Sequence, residues 1–439
     1  MLTLVSAGLL WGSSVAAGIS APTLIPSIHS GWEVNRTTRE NVCLTASGDR
    51  CEAGRQSDLA GGFKYLSSVA VDPISGDVYV ADTANNRIQK LTATGEFLLS
   101  FGWDVNRTKE RRAGASQAEK NVCTASSGDV CKAGVPGTAT EQLDSPGGVA
   151  VAPVAGDVYV LSISPGDFRV DKYTPSGQFI WRIGKDVDGA TRGNLCVASA
   201  SGVSSKCRAG SENSDDSLEP FSFKMASTYG DLIAVGGNEE LLYVGDEHRV
   251  QEFTPSGRWR RQIALVSLSA GLYSDVAALA PDEKGNLYLV YRGMSLPGMT
   301  DGLSSIVYKF NREGELVGEI HVAPRRANAM LVINGLAYDG HGSLAVIGNE
   351  IGVNSVARFA ALYGAGDGAR LGSFTGPSDN DGIAFNDHGD LYVAATDDQE
   401  VVTYIPGPFS ALVTNPIVCE ADAEGHARMA SDCAWESWG

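Results

Sequence analysis

The segment from Ser67 to Gly102, SSVAVDPISGDVYVADTANNRIQKLTATGEFLLSFG, is four short apolar runs divided by turns. SVAVD precedes PISG, DVYVAD precedes TANN, RIQKL precedes TATGE, and FLLSFG closes the unit. Alternating β-branched and aromatic residues with Gly, Asn and Pro between them predict four antiparallel strands. A lone four-stranded sheet of this kind cannot bury both faces, so the unit needs copies of itself to pack against.

Five further copies follow, starting at Gly147, Asp231, Ser274, Asn334 and Asp381. The second strands carry Tyr79, Tyr159, Tyr243, Tyr288 and Tyr392, with Ala345 at that place in the fifth copy. The bare spacing matches the length of one propeller blade. The two longest spacings each contain an insertion. The sixth copy has no fourth strand, but TLIPSIHSGWEVN near the N-terminus matches EFLLSFGWDVN of the first copy. The N-terminal strand therefore completes the last blade and closes the ring, which removes open sheet edges. The predicted fold is an all-β, six-bladed propeller spanning 21–408. It is preceded by an apolar segment at 1–20 and followed by a tail at 409–439.

The insertions, at 31–60, 102–142 and 184–220, are copies of one loop. GWEVNRTTRENVC aligns without a gap on GKDVDGATRGNLC, and GWDVNRT reaches NVC after nine extra residues. Each ends in a cysteine followed closely by a second: Cys43 and Cys51, Cys123 and Cys131, Cys196 and Cys207. Cys419 and Cys433 in the tail make a fourth pair. No two cysteines stand at the two-to-four spacing of structural zinc sites, so local disulfides are expected. They imply an oxidising compartment, as does an N-terminal segment that ends in small residues like a secretory signal. A secreted or cell-surface location is expected, with no transmembrane span. Because strands alternate in direction, all three loops emerge on the face that carries the turns between second and third strands. Three braced loops side by side predict a wall around part of the central opening.

The first unit resembles an NHL repeat: an apolar strand ending in Asp, a Gly turn, YVAD, an Asn-rich turn, an Arg and a closing strand. The Cys-loop form resembles exported actinobacterial NHL proteins. The resemblance implies a binding or sensing platform. Related six-bladed rings include lactonases and lyases, which gives a metal-dependent hydrolase or lyase as the alternative.

Candidate binding residues are Trp32 and Trp103, which share one loop position, and two charged pairs that flank turns, Asp82 with Arg87 and Asp246 with Arg249. Exposed tryptophans suit a protein or carbohydrate hot spot, or else they pack beneath their own loops. The charged pairs either face a ligand or clamp their turns. For the hydrolase alternative, Asp275, Asn334 and Asp381 lie at starts of innermost strands and could hold calcium. Otherwise no cofactor is expected. His341 and His388 fall in turns on the far face, and His248 stands alone on the loop face. The NRT triplets at Asn35 and Asn106 fit a glycosylation pattern, but read more plainly as loop sequence. The formal net charge of −18 repels phosphate backbones, so nucleic acid is not an expected partner. A monomer that binds a protein or carbohydrate is the expected form.

Overall fold

The computed structural model describes residues 24–198, 207–211, 219–223, 232–246, 249–264, 274–293, 305–326, 329–352, 355–376 and 380–406. Cys419, Cys433, His248 and the segment 1–20 lie outside them. These residues form six antiparallel sheets. Their innermost strands are Leu66–Val71, Pro146–Val151, Ile233–Gly236, Ser274–Pro281, Met330–Tyr338 and Asn380–Phe385. Each touches the next and the sixth touches the first, which closes a six-bladed ring.

Blade 1 shows how the sequence builds a sheet. Val78–Asp82 pairs with Arg87–Leu91, and that strand pairs with Phe97–Phe101. Every residue of Val78–Asp82 is buried, because both sheet faces meet a neighbouring blade. Tyr79 and Phe101 of blade 1 pack with Val158 and Tyr173 of blade 2, and the Phe101 and Tyr173 rings lie 4.8 Å apart. The core therefore sits in wedges between blades.

The N-terminal strand Leu24–Gly31 lies along Glu400–Pro406, with His29 opposite Val402 and Ser30 opposite Val401. The predicted closure is what the chain adopts. His29 Nδ1 lies 3.1 Å from the Glu400 carboxylate across this seam, and burial holds the Glu400 carboxyl above its ordinary range.

Three blades have a fifth strand that the repeat does not predict. Val42–Leu44 adds to blade 6, Val122–Thr124 to blade 1 and Leu195–Val197 to blade 2. Each contains the first cysteine of a loop and pairs with the blade's outermost strand, as in Ser100 opposite Cys123. The expected wall around the opening is thus corrected. The disulfide hairpins begin at the rim of the disc, because the three residues centred on each first cysteine pair with the outermost strand and cover its edge.

Candidate functional site

Disulfides join Cys43 to Cys51, Cys123 to Cys131 and Cys196 to Cys207. Around them the three loops repeat one hydrogen-bond plan. The N–H groups of Gly31, Gly102 and Gly184 donate to the carbonyls of Asn41, Asn121 and Asn194. The side chains of those asparagines accept from the N–H of Glu33, Asp104 and Asp186 at 2.9, 3.0 and 2.9 Å. The residues so held have φ of 56°, 55° and 60°, a left-handed turn fixed by the asparagine.

Next in each loop comes a valine with no exposure: Val34, Val105 and Val187. Val105 packs with Cys123 and Cys131. The sequence offered Trp32 and Trp103 as binding residues or, alternatively, as the residues beneath their loops. Both are only half-buried, and the valine two positions on fills that place. Asn35 and Asn106 of the NRT triplets are buried. Asn35 Oδ1 accepts from the N–H of Thr37 and Thr38, and Asn106 Oδ1 from Lys109. They are turn caps.

From the rim each loop runs inward across its own blade. Gly54, Gly134 and Gly210, from the C-x-A-G that each second cysteine begins, allow this. A Cβ there would stand 2.5 Å from the Gln399 carbonyl oxygen, 2.4 Å from that of Asn86 and 2.1 Å from that of Phe168. Those carbonyls lie beside the turn between the second and third strands. The loop then descends to the inner strand of the next blade.

That descent is locked by buried arginines. Arg87 donates from Nε to Asp82 at 2.8 Å, and from its Nη atoms to the carbonyls of Asp58, Leu59 and Gly62. Gln89 bonds Gly61 and Gly62. Blade 3 repeats the lock: Arg249 binds Asp246 at 3.0 Å and the carbonyls of Glu219 and Ser222, and Gln251 joins Ser222. The four charged residues read as a binding ring or a clamp are all buried and bond the protein. Burial raises the Asp82 carboxyl, with Arg87 the largest opposing influence.

Blade 2 rewires the same lock, which the sequence reading missed. Asp171 stands where Gln89 and Gln251 stand, and two arginines with no exposure, Arg169 and Arg182, converge on it. Arg182 reaches the carbonyls of Thr138, Ala139 and Arg208. Burial, and then the neighbouring Arg182, pull Arg169 down to about 10. An Arg two residues before an Asp in the third strand was the available signal.

The central channel contains a cavity of about 160 Å³ near the far face, lined by apolar residues such as Val71, Val151, Tyr338 and Phe385. On the loop side Asn334 is buried, and the side chains of Asp275 and Asp381 lie outside the described residues. Among the described residues no three His, Cys, Asp or Glu gather closely enough to hold a metal ion. No described helix is long and apolar enough to cross a membrane.

A family model described as NHL repeat matches residues 63–91, the first three strands of blade 1 with Asp82, Arg87 and Gln89 of its lock. The chain is a six-bladed propeller that carries an NHL repeat. No curated protein matches it. A gluconolactonase from Xanthomonas campestris is similar in structure at 13% identity, with 81% of this chain and 97% of that one covered and a TM-score of 0.42. A streptogramin B lyase is similar at 10% identity, covering 80% and 97%, with a TM-score of 0.40. A chain of a nidogen/laminin complex is similar at 10% identity, covering 80% and 93%, with a TM-score of 0.41. At these values the likenesses carry no argument about what this NHL propeller does.

Proposed function

We propose that this propeller is a non-catalytic binding module, secreted or at the cell surface, that presents its disulfide-loop face to a protein or carbohydrate. The supporting observation is that the described parts of the three loops are joined in series over blades 6, 1 and 2. Ala60 of the first loop packs against the Val105–Cys123–Cys131 cluster of the second, and Asp58 lies 3.7 Å from Arg107. Arg182 ties the stem of the second loop to Arg208 of the third. A surface built this way loses little conformational freedom when a ligand docks. The disulfides suit an oxidising compartment.

The test uses full-length protein from culture medium, screened against surface glycans and secreted proteins. It is compared with a variant whose residues 36–51 and 107–131, each holding a whole disulfide, are replaced by short Gly-Ser turns. Binding that falls at least about tenfold in the variant, with the ring still unfolding in one cooperative transition, is the expected result. Equal binding by the variant overturns the reading. So does calcium-dependent lactone hydrolysis by the intact protein, which would favour the hydrolase alternative.

A further inference from the structure

The second-strand tyrosines of the blades serve as latches between neighbours. Tyr79 donates to the Pro175 carbonyl of blade 2, Tyr288 to that of Ala365 in blade 5, and Tyr392 to that of Ala93 in blade 1. In each case the acceptor lies in or just before the turn between third and fourth strands of the next blade. A third-strand lysine stacks on the ring from the side: Lys90 over Tyr79 and Lys309 over Tyr288, both at 5.1 Å.

The seam between blades 3 and 4 departs from this plan. The residue opposite Tyr243 is Glu252 instead of lysine. Its partner on the fourth strand is Arg261, where blade 1 has Leu99 and blade 2 Trp181. Arg261 takes over the latch and donates to the Arg312 carbonyl of blade 4. The Tyr243 hydroxyl is left buried and without a hydrogen-bond partner among the described residues. At the seam between blades 2 and 3 the Tyr159 hydroxyl is also unpartnered. There Lys172 and Trp181 fill the space and share the Pro255 carbonyl.

At the seam between blades 3 and 4 a cavity of about 460 Å³ remains, lined by Tyr243 and by Arg260, Arg261, Lys284 and Arg312 together with Glu239 and Glu313. It opens among the turns of the face opposite the disulfide loops. Its volume lies in the range of sites for small molecules. Glu252, buried and outside the lining, is held by the lining residues Arg260 at 3.2 Å and Arg261 at 2.7 Å. Arg260 also meets Glu239 at 3.1 Å, and Arg312 meets the other oxygen of Glu239 at 3.7 Å.

We propose that this inter-blade cavity is a binding site for a hydroxylated monocarboxylate of the sugar-acid class. The lining carries four cations, Arg260, Arg261, Lys284 and Arg312, against the carboxylates of Glu239 and Glu313, and Glu252 behind it neutralises one of them, which leaves one positive charge within a chain of net charge −18. That excess matches one carboxylate better than a dianionic phosphate. Guanidinium groups take a carboxylate in a two-point fork. The carboxylates of Glu239 and Glu313 accept from ligand hydroxyls, and the Tyr243 hydroxyl offers an unspent hydrogen bond. The site is separate from the loop face and stands or falls independently of the binding role proposed there.

The probe is D-glucuronate, titrated against the full-length protein by saturation-transfer NMR and calorimetry, with glucose and glucose 6-phosphate as comparators. We expect saturable glucuronate binding and at least about tenfold weaker binding of glucose. Arg260→Ala and Arg312→Ala should each weaken glucuronate by about tenfold. Tyr243→Phe tests the site without disturbing a latch, since its hydroxyl bonds no described protein atom. It should weaken glucuronate severalfold with an unchanged thermal transition. No glucuronate binding, equal binding of glucose, tighter binding of glucose 6-phosphate, or binding that survives Arg260→Ala would each overturn the proposal.

Discussion

Arg87 Nε lies 2.8 Å from Asp82 Oδ2, and neither side chain has any exposure to solvent. The pair holds the end of a disulfide loop to the blade that follows it, because the two Nη atoms of Arg87 are spent on three loop carbonyls. An ion pair is here part of the loop's anchor, and its removal should be felt along the whole loop.

Replacing Arg87 by Met leaves a buried carboxylate without its cation and the Asp58 carbonyl without its donor. The expected cost is about 3–5 kcal/mol, read as a lower denaturant midpoint. Adding Asp82→Asn should not restore full stability, since the Asp58 carbonyl stays without a donor while those of Leu59 and Gly62 keep one each, from the Gly62 N–H and from Gln89. Full recovery in the double variant would show that only charge mattered.

The close approach of Gly134 to the Asn86 carbonyl makes its own prediction. Gly134→Ala, Gly54→Ala and Gly210→Ala each force a Cβ into a backbone oxygen that cannot rotate away. A loss of about 1–3 kcal/mol is expected for each, together with faster proteolysis within the affected loop. Losses below about 0.5 kcal/mol would mean that the loops do not need this contact.

Removing the Cys123–Cys131 bridge by a double alanine change should cost about 2–3 kcal/mol. The three-residue strand Val122–Thr124 is too short to hold its place unaided, so hydrogen exchange should rise there and stay low in Val78–Asp82. Uniform loosening of blade 1 would contradict a purely local brace.

Alkali should unfold the ring through its tyrosines. Burial pushes Tyr243 and Tyr392 from the ordinary value of 10.0 up to about 12. A folded-state value above the unfolded one favours the neutral phenol in the fold. This stability is therefore complete below pH 10 and is lost as pH rises toward 12. Tyrosinate absorbance and circular dichroism, followed together, should change in one shared transition inside that window. Early titration of most tyrosines with the fold intact would refute it.

Blade number, ring closure by the N-terminal strand, and the three cysteine pairings among the described residues were legible in the chain. They rest on periodicity and on short separations, which are local properties of a sequence. The clamp was half legible: Asp82, Arg87, Asp246 and Arg249 stood out, but Gln89, Gln251 and the Asp171–Arg182 variant did not. Their role depends on which loop carbonyls lie opposite, and those arrive from far along the chain. Val34, with no exposure, did not stand out beside Trp32, because which of two neighbouring apolar residues points under a loop depends on the turn that the asparagine holds.

The sequence by itself determined a repeating four-stranded unit, six copies of it, and where the loops are inserted, because alternation and turn residues act within a few positions. The tertiary structure alone decided that the first cysteines sit on fifth strands at the rim, and that two glycines of each loop close on one carbonyl. It also decided that the seam between blades 3 and 4 keeps a charged cavity. Those outcomes depend on how far a side chain of one blade reaches into the next, a distance that only the closed ring sets.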